Sequence, residues 1–276
     1  MTGRLSEAGL LLAESRLHRF REDYGVRQVP VDCFRLLREI RASGRIEIEW
    51  QESGSFSERF DASAVYFPSE RCYAIFSRTR PFNWKRYSSG RRCNFTMAHE
   101  LGHIFCGHLA LPASRKDPET IRTEEMEADA FAAGLLMPAE VLGQFRSAEE
   151  ASDALWVSVS AVRRRLAETG IRLEKRTCTR CGFDGIPPNA RYCRRCGCRT
   201  VQGPEPAPEP EIVYVPPLQK ECPACGQRAF GPERECVNCG LPRRNTCMPE
   251  YNLPPHYAPA DALYCEACGS QTVYSP

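Results

Sequence analysis

Two histidines and a glutamate stand at a spacing that suits metal-dependent hydrolysis. They occur in the run His99-Glu100-Leu101-Gly102-His103. Because positions i and i+4 of an α-helix share one face, His99 and His103 can bind the same Zn²⁺. Glu100 lies beside them and can act as the general base that takes a proton from an attacking water. The run therefore predicts a hydrolytic zinc centre on a helix, but two histidines alone leave the ligand set incomplete.

A second helical segment further along the chain supplies carboxylates at the same spacing. Glu125 and Asp129 are again at i and i+4. We expect Glu125 to be the third ligand and Asp129 to accept a hydrogen bond from a ligating histidine. Two histidines and one glutamate, with the fourth position left to water, form the open ligand set of a catalytic zinc. His108 is expected to have a structural or substrate-side role and not to bind the metal. Cys106 is expected to be a buried free cysteine that packs as a small apolar residue.

Most cysteines lie in the last part of the chain, as Cys-x-x-Cys pairs followed by glycine. Twelve of the sixteen come after residue 173. Because no βαβ pattern surrounds the pairs, they indicate tetrahedral zinc sites rather than redox-active dithiols. The glycine suits a turn that needs positive φ. We predict one structural Zn²⁺ held by Cys178, Cys181, Cys193 and Cys196, and a second held by Cys222, Cys225, Cys236 and Cys239.

The final pair, Cys265 and Cys268, has no obvious second pair with which to form a site. Cys247 and His256 could complete a third zinc site of three cysteines and one histidine, but nothing in the sequence fixes their spacing. Cys198 remains outside every predicted set. These segments resemble double zinc-ribbon modules, which dock proteins or nucleic acids. The sequence leaves both kinds of partner open.

Hydrophobic periodicity divides the first part of the chain into helices and a small sheet. Apolar residues recur at helical spacing over 7–22 and 30–42, and short alternating runs between 46 and 77 indicate strands. Further helices are predicted at about 94–110, 122–136, 138–146, 148–156 and 158–169. This order of elements predicts an α+β fold.

Composition separates one large domain from a series of small modules. Residues 1–173 contain enough apolar side chains for a core, whereas the later segments need a metal to fold. We predict zinc ribbons at 174–202 and 219–242, a Pro/Glu-rich linker at 203–218, and a partial third zinc-binding segment at 243–276.

Charge and hydropathy bear on the expected partners and compartment. The chain has 37 Lys and Arg against 35 Asp and Glu, so its net charge of +2 gives no general attraction to nucleic acid or an anionic membrane. No run approaches the roughly 18 apolar residues of a membrane span, and the first residues lack a signal-peptide pattern. We therefore expect a cytoplasmic protein with no membrane partner. The oligomeric state is not indicated.

The motifs together resemble the ImmA/IrrE family of metallo-endopeptidases. The resemblance is carried by Asn94-Phe-Thr-Met-Ala-His-Glu-Leu-Gly-His103 and by Glu125-x-Glu-Ala-Asp-x-Phe-Ala-Ala-x-Leu-Leu-Met-Pro138. Segments 29–32 and 155–166 also match, so it covers about 7–171. It implies a zincin-like domain whose zinc ligands match His99, His103 and Glu125 and whose catalytic residue matches Glu100. It also implies a protein substrate, because members of this family cut helix-turn-helix repressors.

Two segments depart from this pattern or allow another function. The family commonly has Arg where this chain has Asn94, which we interpret as a helix N-cap. The segment from Arg78 to Arg92 interleaves six basic residues with aromatic ones, which is typical of a surface for single-stranded nucleic acid, of a wall of a substrate cleft or of a solvated loop. Residues 148–169 have the pattern of a DNA-binding helix-turn-helix, or of structural support for the peptidase.

The leading hypothesis is therefore a zinc endopeptidase whose ribbons choose or gate its substrate. It needs one catalytic Zn²⁺ and two structural ones, with a third where Cys247 and His256 complete the last pair. The alternative is an adaptor without catalysis, stapled by zinc, that binds nucleic acid or protein through the basic segment and the ribbons.

Overall fold

The computed structural model describes residues 5–53, 62–79, 83–86, 88–200, 211–229, 231–249 and 254–276. The chain divides into two compact units. The first comprises Met1–Ala139 and Ala151–Gly170, and the second comprises Glu140–Glu150 and Ile171–Pro276. The break after Gly170 lies close to the predicted boundary at 173/174, whereas residues 140–150 group with the cysteine-rich part.

Helices and short strands alternate through the first 169 residues, and the predicted α+β class is confirmed. The elements are α1 (Glu7–Tyr24), β1 (Gln28–Val29), α2 (Cys33–Ser43), β2 (Glu47–Ser53), β3 (Ala62–Phe67), β4 (Cys72–Arg78), α3 (Ser88–Cys106), α4 (Pro118–Leu136), α5 (Ala139–Leu142), α6 (Ala148–Leu155) and α7 (Val159–Thr169). Two 3₁₀ turns, His108–Ala110 and Ala113–Arg115, connect α3 to α4.

A three-stranded sheet with the order β2-β4-β3 packs beside α3. β2 runs parallel to β4, and β3 runs antiparallel to it with Ala64 opposite Ile75. Alternation sets the faces, since Ile48 and Ile75 are buried while Glu47 is exposed on the other side of the pleat. β3 is an edge strand of this sheet, and it lies near α3.

Helix α3 crosses α4 at a close contact made by small residues. A Cβ atom at Gly102 would lie only 3.0 Å from the Cα and carbonyl oxygen of Ala128. Glycine thus allows the two backbones to approach more closely than any other residue would. Phe20 of α1 packs between Phe105 of α3 and Phe131 of α4, with ring centroids 4.6 and 5.4 Å away. Aromatic packing beside the crossing therefore stabilises the contact between α3 and α4.

Helix α3 begins at Ser88, so the prediction that Asn94 is an N-cap is wrong. Asn94 lies inside the helix and is completely buried. Its Oδ1 accepts from the backbone N–H of Cys33 at 2.9 Å, and its Nδ2 donates to the carbonyl of Val31 at 3.0 Å. The side chain satisfies the backbone just before α2, which sequence spacing cannot show. The predicted helix over 138–146 is also shorter, because α5 ends before Gly143.

The second unit is built mainly from turns. β5 (Arg176–Thr177) pairs with β6 (Asp184–Ile186), and β7 (Val213–Tyr214) follows. Within this unit the ring of Phe145 lies 5.2 Å from that of Tyr214. One buried cluster of this unit consists of Ile186 and Ala190 packed against Cys178 and Cys193. Such a small cluster is expected for a segment that needs a metal. Residues 203–210 of the predicted linker, and the last two residues of the predicted first ribbon, lie outside the described residues.

Among the helices that the structure describes, none combines the length and the apolar character that crossing a bilayer requires.

We predict that Asn94→Ala lowers the free energy of unfolding of the first unit by about 2–3 kcal/mol, because a buried N–H and a buried carbonyl lose their partner. Urea denaturation followed by tryptophan fluorescence measures this change, since Trp50, Trp84 and Trp156 all lie in the first unit. The matched control is Asn83→Ala at an exposed position, which should change the midpoint little. Equal midpoints for the two variants would contradict the assigned role of Asn94.

Candidate metal centre

Three side chains from α3 and α4 meet at distances that suit one tetrahedral ion. The Nε2 atoms of His99 and His103 are 3.0 Å apart. The carboxylate oxygens of Glu125 lie 3.3 Å from Nε2 of His99 and 3.4 Å from Nε2 of His103. Zinc bonds of about 2.0–2.1 Å place tetrahedral ligand atoms roughly 3.3 Å apart. The predicted ligand set is therefore brought together, and its donor atoms fit Zn²⁺.

Asp129 contacts the other nitrogen of His99. Its Oδ1 lies 3.0 Å from Nδ1, while its Oδ2 pairs with Arg164 at 3.1 Å. Burial alone would lower the pKa of His99, but the hydrogen bonds with Asp129 and Glu125 and the charge of Glu100 raise it to about 10. The same negative charges would attract a metal cation, which takes the place of the imidazole proton when it binds. The contact with Nδ1 leaves Nε2 for the metal.

His103 is oriented by residues whose part in the centre was not predicted from the sequence. Its Nδ1 lies 3.0 Å from Nδ1 of His108, and Nε2 of His108 lies 2.9 Å from Glu127. Burial and the charge of His103 lower the pKa of His108 to about 4, so this ring is neutral. A neutral His108 can accept from His103 and donate to Glu127.

The position of His108 depends on a turn that breaks the helical spacing. Helix α3 ends at Cys106, and Gly107 adopts φ 85° before the 3₁₀ turn that begins at His108. On a continuous helix, a residue five positions after His103 would point away from the metal. In the structure, His108 is not part of the group formed by His99, His103 and Glu125. In the sequence, Gly107 was the residue that could have indicated this turn, because glycine commonly ends a helix and changes the chain direction.

Glu100 is buried next to the ligands and is held by the edge strand. It is 7% exposed, and its Oε2 accepts from the backbone N–H of Ala64 at 2.6 Å. Burial raises its pKa, although the charges of His99 and His103 and the Ala64 hydrogen bond oppose this. A raised carboxylate pKa suits a group that must take a proton and return it near neutral pH.

The two predicted zinc ribbons each bring four thiols together. Within the first ribbon, Cys178 Sγ is 3.7 Å from Cys196 Sγ, and Cys181 Sγ is 3.7 Å from Cys193 Sγ. The corresponding distances in the second ribbon are both 3.5 Å. Zinc–sulfur bonds of about 2.3 Å give a tetrahedral spacing of roughly 3.8 Å. The sets are Cys178, Cys181, Cys193 and Cys196, and Cys222, Cys225, Cys236 and Cys239.

The other four cysteines of the second unit comprise one beside the first set and three in a separate group. Cys198, which the sequence left unassigned, has its Sγ 3.2 Å from that of Cys178. The last pair, Cys265 and Cys268, lies with Cys247 and His256 in one group. All sixteen cysteines are free thiols, so disulfides do not account for these groupings.

In the described part of the basic segment 78–92, several side chains pack against other residues of the first unit. Trp84 is 4% exposed and Arg91 is 8% exposed, so neither ring nor guanidinium can stack on a base. Arg91 bonds Asp153 of α6 at 2.6 Å, and Lys85 pairs with Asp32 at 2.9 Å. These contacts favour a structural role. Arg80, Phe82 and Tyr87 of the same segment lie outside the described residues.

The basic residues of α7 also contact the protein itself. Arg164 pairs with Asp129 of α4, and Nε of Arg165 donates to the carbonyl of Met137 at 3.3 Å. These contacts favour structural support of the zinc-binding helix over DNA reading by this segment.

We predict that Asp129→Ala weakens zinc binding by His99, His103 and Glu125 by about 10–100-fold, because His99 loses the partner that fixes its ring. Native mass spectrometry after dialysis against graded chelator would give the concentration at which one zinc per chain is released. Asp23→Ala, which removes an exposed carboxylate on α1 paired with Arg45, is the control. Release at the parent concentration from Asp129→Ala would show that Asp129 does not support the metal.

Comparison with known proteins agrees with the geometry. Residues 84–167 match the family model Peptidase M78, described as the IrrE N-terminal-like domain. The matched range includes the side chains of the metal centre, from His99 on α3 to Asp129 on α4, as well as Arg164, but not Ala64 of β3. No curated protein matches the chain. The segment that builds most of the metal centre is therefore similar to the IrrE N-terminal-like domain of the Peptidase M78 family.

Proposed function

We propose that this protein is a zinc-dependent endopeptidase that hydrolyses a peptide bond in a protein regulator, with a helix-turn-helix transcriptional repressor as its substrate. The observation that carries the proposal is the tetrahedral spacing of the His99, His103 and Glu125 donor atoms beside the buried Glu100. A binding adaptor would have no need for a buried carboxylate next to an open ligand set.

Each residue of the site has a separate role in the proposed hydrolysis. Zn²⁺, when bound, supplies Lewis acidity for the scissile carbonyl and makes water acidic enough to react at neutral pH. Glu100 takes the proton of the attacking water and gives it to the leaving amine. Because the Ala64 N–H already occupies Oε2, proton transfer is assigned to Oε1. Asp129 and His108 hold the imidazole rings in place.

Strand β3 gives the site a means of holding an extended peptide. In an antiparallel strand, alternate N–H and C=O groups point to the same side. The N–H of Ala64 points away from β4, toward Glu100, so those of Ala62 and Tyr66 share its direction. A substrate segment that adds to this edge would be bound by main-chain hydrogen bonds and would pass the general base. Such binding needs an unfolded or extended stretch of the substrate.

The choice of substrate follows from family resemblance rather than from the site. We assign the ribbons to docking of the substrate or of a partner protein. Val237 supports this role, because it is 76% exposed within the Cys236–Cys239 turn. We place the reaction in the cytoplasm, where repressors act and where free thiols are kept reduced.

We expect Glu100→Gln to lower the rate of repressor cleavage by about 10²–10⁴-fold, because the amide cannot accept a proton. Purified helix-turn-helix repressors, beginning with any encoded beside this chain, are the substrates, and intact-mass spectrometry detects the products. Zinc content and fluorescence should remain those of the parent. Glu70→Gln, at an exposed position between β3 and β4, is the matched control.

The outcomes of this experiment separate the two hypotheses. Cleavage by Glu100→Gln at the parent rate would remove Glu100 from the mechanism. Failure of the parent to cut any repressor, with binding retained, would instead favour the adaptor.

Removal of metal should abolish cleavage in the parent, because His99, His103 and Glu125 cannot polarise a carbonyl without an ion. Protein treated with 1,10-phenanthroline and dialysed should regain activity when one equivalent of Zn²⁺ is returned, but not when Mg²⁺ is added, since nitrogen ligands suit zinc. Cleavage that survives complete removal of zinc from the first unit would contradict a metallopeptidase mechanism here.

A further inference from the structure

The last knuckle of the chain, Cys265-Glu-Ala-Cys268-Gly269, has the same backbone geometry as the knuckles of the two ribbons. Gly269 has φ 80°, and its N–H donates to the carbonyl of Cys265 at 2.9 Å. The corresponding bond in the first ribbon, from Gly197 to Cys193, is also 2.9 Å, with φ 68° at the glycine. The turn thus presents its two thiols as a zinc knuckle does, although the chain offers it no second knuckle.

The other half of the site is formed by a bridge between two extended segments. Thr246 and Tyr257 pair in an antiparallel bridge, which places Cys247 beside His256. The N–H of Cys247 donates to the carbonyl of His256 at 3.0 Å, and the N–H of His256 donates to Sγ of Cys247 at 3.1 Å. These two hydrogen bonds fix Cys247 and His256 side by side.

The donor atoms of both halves lie at zinc-ligand distances. Nδ1 of His256 is 3.5 Å from Sγ of Cys247 and 3.8 Å from Sγ of Cys265. Zinc bonds of about 2.3 Å to sulfur and 2.0–2.1 Å to nitrogen give a tetrahedral spacing of roughly 3.5 Å. All four donor atoms lie within 4.8 Å of one another. A chance meeting of buried thiols would not direct a ring nitrogen at two of them.

This knuckle also pairs with a knuckle of the first ribbon through equivalent positions. The N–H groups of Arg191 and Tyr192 donate to the carbonyl of Glu266, at 2.8 and 3.1 Å. In return, the N–H groups of Leu263 and Tyr264 donate to the carbonyl of Arg194, both at 2.9 Å. In each knuckle, the two donating residues come directly before the first cysteine, and the accepting residue comes directly after that cysteine. The two turns are therefore related by an approximate two-fold axis.

Side chains repeat the same symmetry. The ring of Tyr264 covers Gly197 so closely that a Cβ there would lie 2.7 Å from it, and Tyr192 covers Gly269 at the same distance. Arg194 is 1% exposed and forms a two-pronged pair with Glu266 at 2.8 and 3.0 Å. A buried ion pair is stable only if both partners are held in place. Glu266 can be held only if its knuckle is folded, and a turn this short needs a metal to fold.

We infer that Cys247, His256, Cys265 and Cys268 bind a third structural Zn²⁺, and that this zinc holds the last knuckle against the first ribbon. The inference does not depend on the proposed peptidase activity, because it concerns the second unit alone.

The zinc content of the full chain tests the site. Cys268→Ser should lose one zinc per chain by elemental analysis and native mass spectrometry, whereas His256→Cys should keep it. Cys72→Ser, outside every thiol group, should match the parent. In protein loaded with Co²⁺, His256→Cys should also increase the thiolate-to-metal absorption, because a sulfur replaces a nitrogen. Parent zinc content in Cys268→Ser, or unchanged absorption in His256→Cys, would overturn the third site.

Alkylation of cysteines mapped by peptide mass spectrometry tests the pairing. In Cys268→Ser, the four thiols of the first ribbon should react with iodoacetamide about tenfold or more faster than in the parent, because the paired turn no longer closes over them. The thiols of the second ribbon should keep the parent rate, which excludes general unfolding. Glu266→Gln, which retains all ligands, should increase reactivity at the first ribbon without loss of zinc from the third site. If the thiols of the first ribbon react at the parent rate in both variants, the proposed pairing is wrong.

Discussion

The close approach of α3 to α4 at Gly102 and Ala128 is the constraint on which the metal centre depends. Two histidines on one helix can share an ion, but the third ligand must come from a different element. Glu125 reaches the same point only because the two helix backbones nearly touch three residues away. The aromatic cluster of Phe20, Phe105 and Phe131 then keeps the helices at that separation. Packing of apolar side chains thus determines a distance between polar ones.

Charge is distributed around the centre so that each ligating ring has a different kind of partner. His99 faces a carboxylate that is itself paired with Arg164, whereas His103 faces the neutral ring of His108. A charged partner makes an imidazole a stronger donor to metal, and a neutral one leaves it weaker. The arrangement also keeps Glu127, whose pKa is raised by burial and by Glu124, away from the ion. Excess negative charge at the metal would reduce its ability to polarise a carbonyl.

Features that depend on local spacing were predictable from the sequence, and those that depend on distant contacts were not. The positions of His99, His103 and Glu125 follow helical periodicity, and the cysteine knuckles follow a five-residue pattern with its glycine. Asn94 was misread because its partners lie about sixty residues earlier, before α2. Helical spacing directs His108 away from the ligands and gave no sign of its contact with His103, which requires the turn at Gly107. Arg194 and Glu266 are 72 residues apart, and nothing in their local sequence relates them.

The approximate symmetry between the first and last knuckles has a consequence for assembly. Surfaces that meet through the same backbone positions could equally well join two identical copies, which would link separate chains. However, the residue after the first cysteine has opposite charge in the two knuckles, because it is Arg194 in the first ribbon and Glu266 in the last knuckle. Two copies of the first knuckle would bury like charges against each other, and so would two copies of the last. This single difference in charge therefore directs each knuckle to its unlike counterpart, which the same polypeptide always supplies.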